Sequence, residues 1–229
     1  MKKLLGMMIL GFTASSFAGE LVIEKDSIHY SRLAKFALLP YHYGMISVQG
    51  NQFTGSAIYF SMETKHPKKF FSMMAKEVDP KMVRKNDTLW EATAKIPADE
   101  KNIIDLTTTV HVTQFNSIEV KHSWKTAVPE NIRAKGIFIN YALKDFAKPC
   151  VKIDGKEYSL PNENQVGPLA LNIDSPDLVL YPDCSGREFT ITFDGKCNIY
   201  YYANKDKNSC LRVNLLDDAN EFRYTILPK

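Results

Sequence analysis

Residues 103–126, IIDLTTTVHVTQFNSIEVKHSWKT, decide the fold class. From Ile104 to Val112, most even-numbered residues are apolar and the residues between them are mostly polar. After a break at residues 114–117, Ile118 and Val120 resume the alternation. Successive side chains of a β-strand point to opposite faces, so this period of two predicts two long strands joined by a short turn.

The second of these strands ends its apolar face in His122 and Trp124. Two interpretations are open, a platform for a ligand or the rim of a core. Polar residues Ser123 and Lys125 flank Trp124, and this suggests a strand that is leaving the core. We therefore expect the Trp124 indole to be partly exposed.

Similar strand patterns recur along the chain and predict an antiparallel all-β sandwich. We expect one domain over residues 19–229, with a loop or linker at 161–168. At most one short helix is expected, near residues 68–78, where Pro80 would end it. The further predicted strands and hairpin segments cover residues 20–30, 45–49, 53–62, 88–96, 136–143, 150–160, 169–173, 177–181, 188–193, 197–203, 209–216 and 221–227.

Two Asp-Gly pairs, at residues 154–155 and 194–195, stand between predicted strands. Asp-Gly favours the type I′ turn, in which both central residues have positive φ. The sequence therefore predicts a tight hairpin at each of the two pairs.

The N-terminus, MKKLLGMMILGFTASSFAGE, has the organisation of a signal peptide. Lys2 and Lys3 precede a short apolar run, and the Ser16-Phe17-Ala18 stretch suits cleavage after Ala18. The apolar run is shorter than the roughly 20 residues that span a bilayer. We expect a periplasmic or secreted protein that begins at Gly19 and has no membrane span in the mature chain.

Charge and motifs exclude several classes of function. The net charge of the 229-residue chain is +3, and Lys2 and Lys3 contribute two of these charges. This balance gives no reason to expect nucleic acid as a partner. The sequence has no G-x-S-x-G, P-loop or H-E-x-x-H motif and no cluster with metal-ligand spacing. We expect no cofactor and no metal, and we identify no catalytic residue.

All four cysteines lie in the last third of the chain, and four cysteines allow three pairings. Export makes disulfides plausible. If the second Asp-Gly pair closes a hairpin, neighbouring cysteines lie too far apart to bond. The pairing that is left joins Cys150 to Cys197 and Cys184 to Cys210, with free thiols as the alternative.

Several stretches in one order carry a resemblance: TLWEATAKIP (88–97), residues 103–126, PENIRAKGIFINYAL (129–143), VKIDGKEYSLP (151–161) and IYYYANKDKNSCLRVNLL (199–216). Together they resemble the non-catalytic N-terminal β-sandwich domains of secreted bacterial polysaccharide-degrading enzymes. The long strands are similar to those of the galactose-mutarotase-like supersandwich. The resemblance implies association with polysaccharide utilisation. Such enzymes normally continue into a catalytic barrel, which this chain lacks, so either the domain stands alone or its catalytic partner is a separate chain.

Aromatic residues are the best candidates for binding a glycan, because flat rings pack on the apolar faces of sugars. We predict ligand binding by Trp124, His122, Tyr201 and Tyr43. The first hypothesis is a carbohydrate-binding or enzyme-accessory domain. One alternative is a sugar-active enzyme of mutarotase or lyase type, which an exposed carboxylate–histidine pair in a groove would favour. The other is a structural or protein-interaction domain of the cell envelope.

Overall fold

The structure is a computed structural model. It describes residues 21–24, 27–30, 36–40, 46–49, 56–72, 81–97, 101–141, 143, 146–184, 188–204 and 209–229. The predicted signal peptide and Tyr43 lie outside these described residues.

The first of two sheets, called the front sheet, contains the early strands and four late ones. Its order along the main path is β1-β2-β3-β4-β5-β11-β18-β17-β14, and β6 also pairs with β5. The bounds are β1 Leu21–Glu24, β2 Ser27–Tyr30, β3 Phe36–Pro40, β4 Ile46–Gln49, β5 Ser56–Thr64, β6 Phe70–Ser72, β11 Ile132–Tyr141, β14 Gln165–Asp174, β17 Lys196–Ala203 and β18 Ser209–Leu215.

The second sheet, called the back sheet, has the order β13-β12-β15-β16-β19-β10-β9-β8-β7. Both sheets are antiparallel at every described pairing, and a 3-10 turn at Pro129–Asn131 precedes β11. The bounds are β7 Lys81–Arg84, β8 Leu89–Pro97, β9 Ile103–Val112, β10 Ile118–Lys125, β12 Cys150–Ile153, β13 Lys156–Ser159, β15 Asp177–Leu180, β16 Phe189–Phe193 and β19 Glu221–Pro228.

This architecture confirms the predicted all-β sandwich. The opening quoted stretch forms β9 and β10, whose register pairs Ile118 with Val112 and Trp124 with Leu106. Residues 20–30, predicted as one strand, instead contain the paired strands β1 and β2.

At most one short helix was expected near residues 68–78, and the described part of this range contains a strand instead. Phe70–Ser72 form β6, and Phe71 pairs with Met62 of β5. The pairing with β5 provides hydrogen bonds for the β6 backbone, and it also buries the apolar ring of Phe71. Residues 73–80 lie outside the described residues.

One hydrophobic core lies between the sheets. It is built from alternate residues of each strand, as a half-buried antiparallel sheet requires. In β5 the inward residues are Ile58, Phe60 and Met62, and in β10 they begin with Ile118 and Val120.

The two Asp-Gly pairs behave differently. Asp154 and Gly155 both have positive φ, 48° and 78°, and they close the predicted β12–β13 hairpin. At the second pair only Gly195 has positive φ, and the chain crosses there from β16 in the back sheet to β17 in the front sheet. The second hairpin prediction is therefore wrong, because a local turn signal does not specify which sheet the next strand joins.

The predicted disulfides are also wrong, and all four cysteines are free thiols. The pairing was inferred from the second hairpin, which does not form. Cys197 and Cys210 belong to the front sheet, whereas Cys150 lies in the back sheet. Burial raises the pKa of the Cys197 thiol to about 12.

The predicted loop at residues 161–168 is shorter than expected. Strand β14 begins at Gln165, so Gly167 and Pro168 belong to it. Pro168 is compatible with β14 because this strand lies at the edge of the front sheet, where a missing N–H breaks no necessary ladder bond. In the part of the chain that the structure describes, no helix has the length and apolar character needed to cross a bilayer.

Candidate functional site

His122 and Trp124 face the core. His122 is 0% exposed and Trp124 is 2% exposed. The Phe60 ring of the front sheet covers both, with ring-centroid distances of 4.6 Å to His122 and 5.6 Å to Trp124. The predicted partial exposure of Trp124 is wrong, because β10 lies in the middle of the back sheet and the front sheet covers its apolar face to the end.

The environment of His122 keeps its imidazole neutral. Its Nδ1 lies 2.8 Å from the Thr108 hydroxyl, and its Nε2 has no hydrogen-bond partner. Burial lowers the pKa of His122 to about 3. In this conformation neither His122 nor Trp124 presents a face to a ligand.

Tyr201 also differs from expectation. It packs partly buried against the core, with its ring over Gly167, where an added Cβ would lie 2.7 Å from the Tyr201 hydroxyl. Of the three consecutive tyrosines, Tyr200 and Tyr202 have the opposite orientation. Their neighbours Ile199 and Ala203 are buried, so alternation directs Tyr200 and Tyr202 to the outer face of the front sheet.

Four aromatic side chains meet on this outer face, and we call them the aromatic platform: Tyr59, Phe70, Phe138 and Tyr202. Phe138 of β11 is the centre. Its ring stacks on Tyr59 at 5.7 Å and meets Phe70 edge-on at 5.5 Å. Tyr202 lies 6.0 Å away on the other side. Three strands therefore supply aromatic rings to β11, which has Tyr59 directly opposite Phe138 on β5.

Partnerless polar atoms lie beside the platform. Ser61 and Asn214 flank Gly136 on either side across the sheet. The Ser61 hydroxyl, the Asn214 carbonyl oxygen and the Arg212 Nε are all buried without a hydrogen-bond partner. Gly136 lets the β18 backbone approach closely, because an added Cβ would lie 1.9 Å from the Val213 carbonyl oxygen. Unsatisfied buried polar atoms are costly, so they often mark a site completed by a ligand or water.

A group of charged side chains, called the charge cluster, adjoins the platform: Glu63, Lys68, Arg133 and Arg212. Arg133 donates a hydrogen bond of 2.9 Å to Glu63. The Arg212 and Lys68 nitrogens lie 3.7 and 4.0 Å from the same carboxylate. The side chains of Arg212 and Glu63 are only 12% and 15% exposed, and the Arg212 guanidinium lies 5.3 Å from the Phe138 ring centroid.

The outer face of the back sheet is different. It carries a groove of about 410 Å³ lined by threonines and by charged residues, among them His111, Glu119, Lys121 and Arg223. The His111 Nδ1 lies 3.4 Å from Glu119, and these side chains are 44% and 59% exposed. His111 and Glu119 are direct cross-strand partners, so their contact is also what register alone would produce.

Sequence alone does not bring the platform residues together, because the order of the strands in the sheet is not local. Strand parity does indicate which of these side chains point outward. In GIFINY the inward residues are Ile137, Ile139 and Tyr141, so Phe138 must point outward. The same reasoning places Tyr59 outside, since Ile58 and Phe60 are buried. The sequence therefore indicates an outward aromatic ring on each of these two strands, Tyr59 and Phe138.

Among the described residues, no group of three or more His, Cys, Asp or Glu side chains is placed to hold a metal ion. Neither a family model nor a curated protein sequence matches this chain. The residues of the two outer faces are therefore the basis for inferring function.

Proposed function

We propose that this chain is an exported, non-catalytic carbohydrate-binding or enzyme-accessory β-sandwich protein of polysaccharide utilisation. The glycan binds on the aromatic platform of the front sheet, and a separate catalytic chain supplies any cleavage. The observation that carries the proposal is the Phe138 ring with Tyr59, Phe70 and Tyr202 around it on an outer sheet face.

Three properties of this face support the proposal. Rings from neighbouring strands provide a rigid surface for the apolar faces of sugar rings, at a small cost in conformational entropy. Asn140 lies on the same face, and its side chain hydrogen-bonds to Tyr59, so an amide group adjoins the rings. The Ser61 hydroxyl and the Asn214 side-chain amide oxygen are buried without a partner, and they would reach a ligand only after a local rearrangement.

A polysaccharide panel tests the proposal. The mature protein is measured by affinity electrophoresis and calorimetry against neutral and acidic plant, algal and bacterial polysaccharides. We expect at least one to bind, and we expect Phe138→Ala to weaken that binding at least tenfold. The loss of one stacked ring removes apolar contact that a weak binder cannot replace.

The matched control is Phe115→Ala. Phe115 is 77% exposed and lies in the β9–β10 turn of the back sheet, so its replacement removes an equal ring that is not part of the aromatic platform. Melting temperatures of both variants show whether the fold is intact. Equal binding by the wild type and a folded Phe138→Ala variant would contradict the proposal, and so would binding of no glycan at all.

A second candidate function is acid–base chemistry on a sugar, of the mutarotase or lyase type. The observation that favours it is the His111–Glu119 pair in the back-sheet groove. General acid–base catalysis requires a positioned proton donor and acceptor within reach of the substrate. Both side chains are well solvated, and this favours the binding proposal over the catalytic one.

Polarimetry tests this second candidate. Catalysed mutarotation of an aldose, abolished by His111→Gln and retained by Phe138→Ala, would support it. A rate equal to the uncatalysed rate for a panel of aldoses, together with no release of unsaturated sugars from acidic polysaccharides, would contradict it.

A further inference from the structure

The charge cluster on the front sheet carries a net positive charge. Glu63 is the carboxylate around which Arg133, Arg212 and Lys68 gather at 2.9, 3.7 and 4.0 Å. Three positive charges therefore surround one negative charge, which leaves a local surplus of two. Within the described residues, no second carboxylate contacts these three cations.

Arg212 is the member of the cluster that reaches the aromatic platform. Its side chain is 12% exposed, its Nε has no partner, and its Nη2 stands 3.7 Å from Glu63, which is longer than a good hydrogen bond. A guanidinium can donate up to five hydrogen bonds in a fixed fork, and a carboxylate matches this fork with two parallel bonds. The residues around Arg212 therefore use only part of its hydrogen-bonding capacity.

The Phe138 ring holds the Arg212 guanidinium beside the aromatic platform. The guanidinium stands 5.3 Å from the centre of the Phe138 ring, within the range of a cation–π contact. Tyr200 is its direct cross-strand neighbour on β17, and Phe138 is its neighbour on β11. Phe138 is flanked by Tyr59 on one side and by Arg212 on the other. A sugar that packs on the outer edges of the Phe138 and Tyr59 rings would therefore carry its substituents within reach of Arg212.

We propose that the glycan bound on the aromatic platform is anionic, and that Arg212 binds its carboxylate with Arg133 and Lys68 adding long-range attraction. This inference rests on the proposed function and names its ligand class, a polysaccharide containing uronic acids. Arg212 provides recognition at short range because it is largely desolvated. Arg133 and Lys68, whose side chains are 52% and 69% exposed, contribute attraction that salt screens.

The test uses matched ligands that differ only in charge. Polygalacturonate, alginate and hyaluronate are each compared with a carboxyl-reduced preparation, in which the uronic acids have become neutral sugars on the same backbone. We expect at least one acidic polymer to bind at least tenfold more tightly than its reduced form. Raising the salt from low to molar concentration should remove only part of that preference, because salt screens the exposed Arg133 and Lys68 but not the desolvated contact of Arg212.

Matched variants locate the effect. Arg212→Gln should lower affinity for the acidic polymer at least tenfold, and it should change affinity for any neutral glycan that binds by much less. Lys125→Gln makes the same change in net charge on the exposed end of β10 in the back sheet, and it should change affinity less than twofold. Melting curves of both variants establish that each is folded.

The outcomes separate the inference from the proposed function. Binding of neutral glycans that Phe138→Ala abolishes, without any preference for the acidic forms, would overturn the inference and leave the proposed function standing. An acidic preference that Arg212→Gln and Lys125→Gln reduce equally would overturn the role of Arg212. Absence of binding to every polymer, acidic or neutral, would overturn both.

Discussion

The outer faces of the two sheets follow the same strand alternation but surround their charges differently. On the front sheet, Glu63 is 15% exposed and Arg212 is 12% exposed, and aromatic rings adjoin them. On the back sheet, Glu119 is 59% exposed and its histidine partner is 44% exposed. Because water solvates both side chains of the second pair, their contact contributes little to stability. The two faces therefore differ in how far their polar side chains are desolvated, and not in whether charged residues are present.

The sharpest contrast is between a ring that lies inside the sandwich and one that lies on its outer face. Trp124→Ala should lower the free energy of unfolding by about 3–5 kcal/mol, because it leaves a cavity beside Phe60 in the core. Phe138→Ala should cost only about 1–2 kcal/mol, because its ring is already partly solvated. Chemical denaturation of both variants measures the two losses. A larger loss for Phe138 than for Trp124 would reverse the assignment of inner and outer faces.

A second contrast is between the wild type and a variant that lacks the buried imidazole of His122. Burial lowers the pKa of His122 to about 3, below the value near 6.5 expected in the unfolded chain. The folded state therefore holds neutral His122, and the unfolded state takes up the proton first as the pH falls. This contribution is intact above about pH 6.5 and is lost progressively toward pH 3, at about 1.4 kcal/mol per pH unit.

Urea unfolding at pH 6 and pH 4 measures that loss. His122→Phe removes the titrating group and keeps an aromatic ring against Phe60, so its loss of stability between the two values should be about 2.5 kcal/mol smaller than in the wild type. An equal pH dependence in the wild type and in His122→Phe would show that His122 is not held neutral by the fold.

The smallest expected effect is on stability, when a carboxylate that contacts more than one cation is neutralised. Glu63 and Glu221 are the two carboxylates compared. Glu63→Gln should destabilise the fold by about 1–2 kcal/mol, because it leaves the largely buried Arg212 without its counter-charge. Glu221, which is 39% exposed and bound to Lys121 and Arg223, should tolerate Gln at a cost of about 0.5 kcal/mol or less. Denaturation in low and molar salt separates the two. Identical costs would mean that the charge cluster is as solvated as the back-sheet face.

Much of the sandwich could be predicted from the sequence, because strand alternation is local. The β9–β10 pair and the Asp154-Gly155 hairpin formed as expected. The crossing at Asp194-Gly195 could not be predicted, because the same dipeptide closes hairpins and connects sheets. The disulfide prediction depended on that turn and was wrong for the same reason.

The candidate site was harder to predict than the fold. Strand alternation correctly placed His122 and Trp124 on the same face of β10 as Ile118 and Val120. Whether these two side chains are buried depends on Phe60, which comes from the other sheet. The charge cluster joins Glu63 to Arg212, residues about 150 positions apart, through the β5–β11–β18 order. Strand order of this kind is a tertiary property that no local pattern specifies.

The most direct test of the central claim is to map which outer face a bound glycan covers. Hydroxyl-radical footprinting with mass spectrometry would compare the wild type alone with the wild type saturated by the polysaccharide that it binds best. The structure predicts that oxidation of Tyr59, Phe138 and Tyr202 falls several-fold, while oxidation of Phe115 and His111 is unchanged. Protection of His111 with no change at Phe138 would place the ligand on the back sheet and contradict the claim.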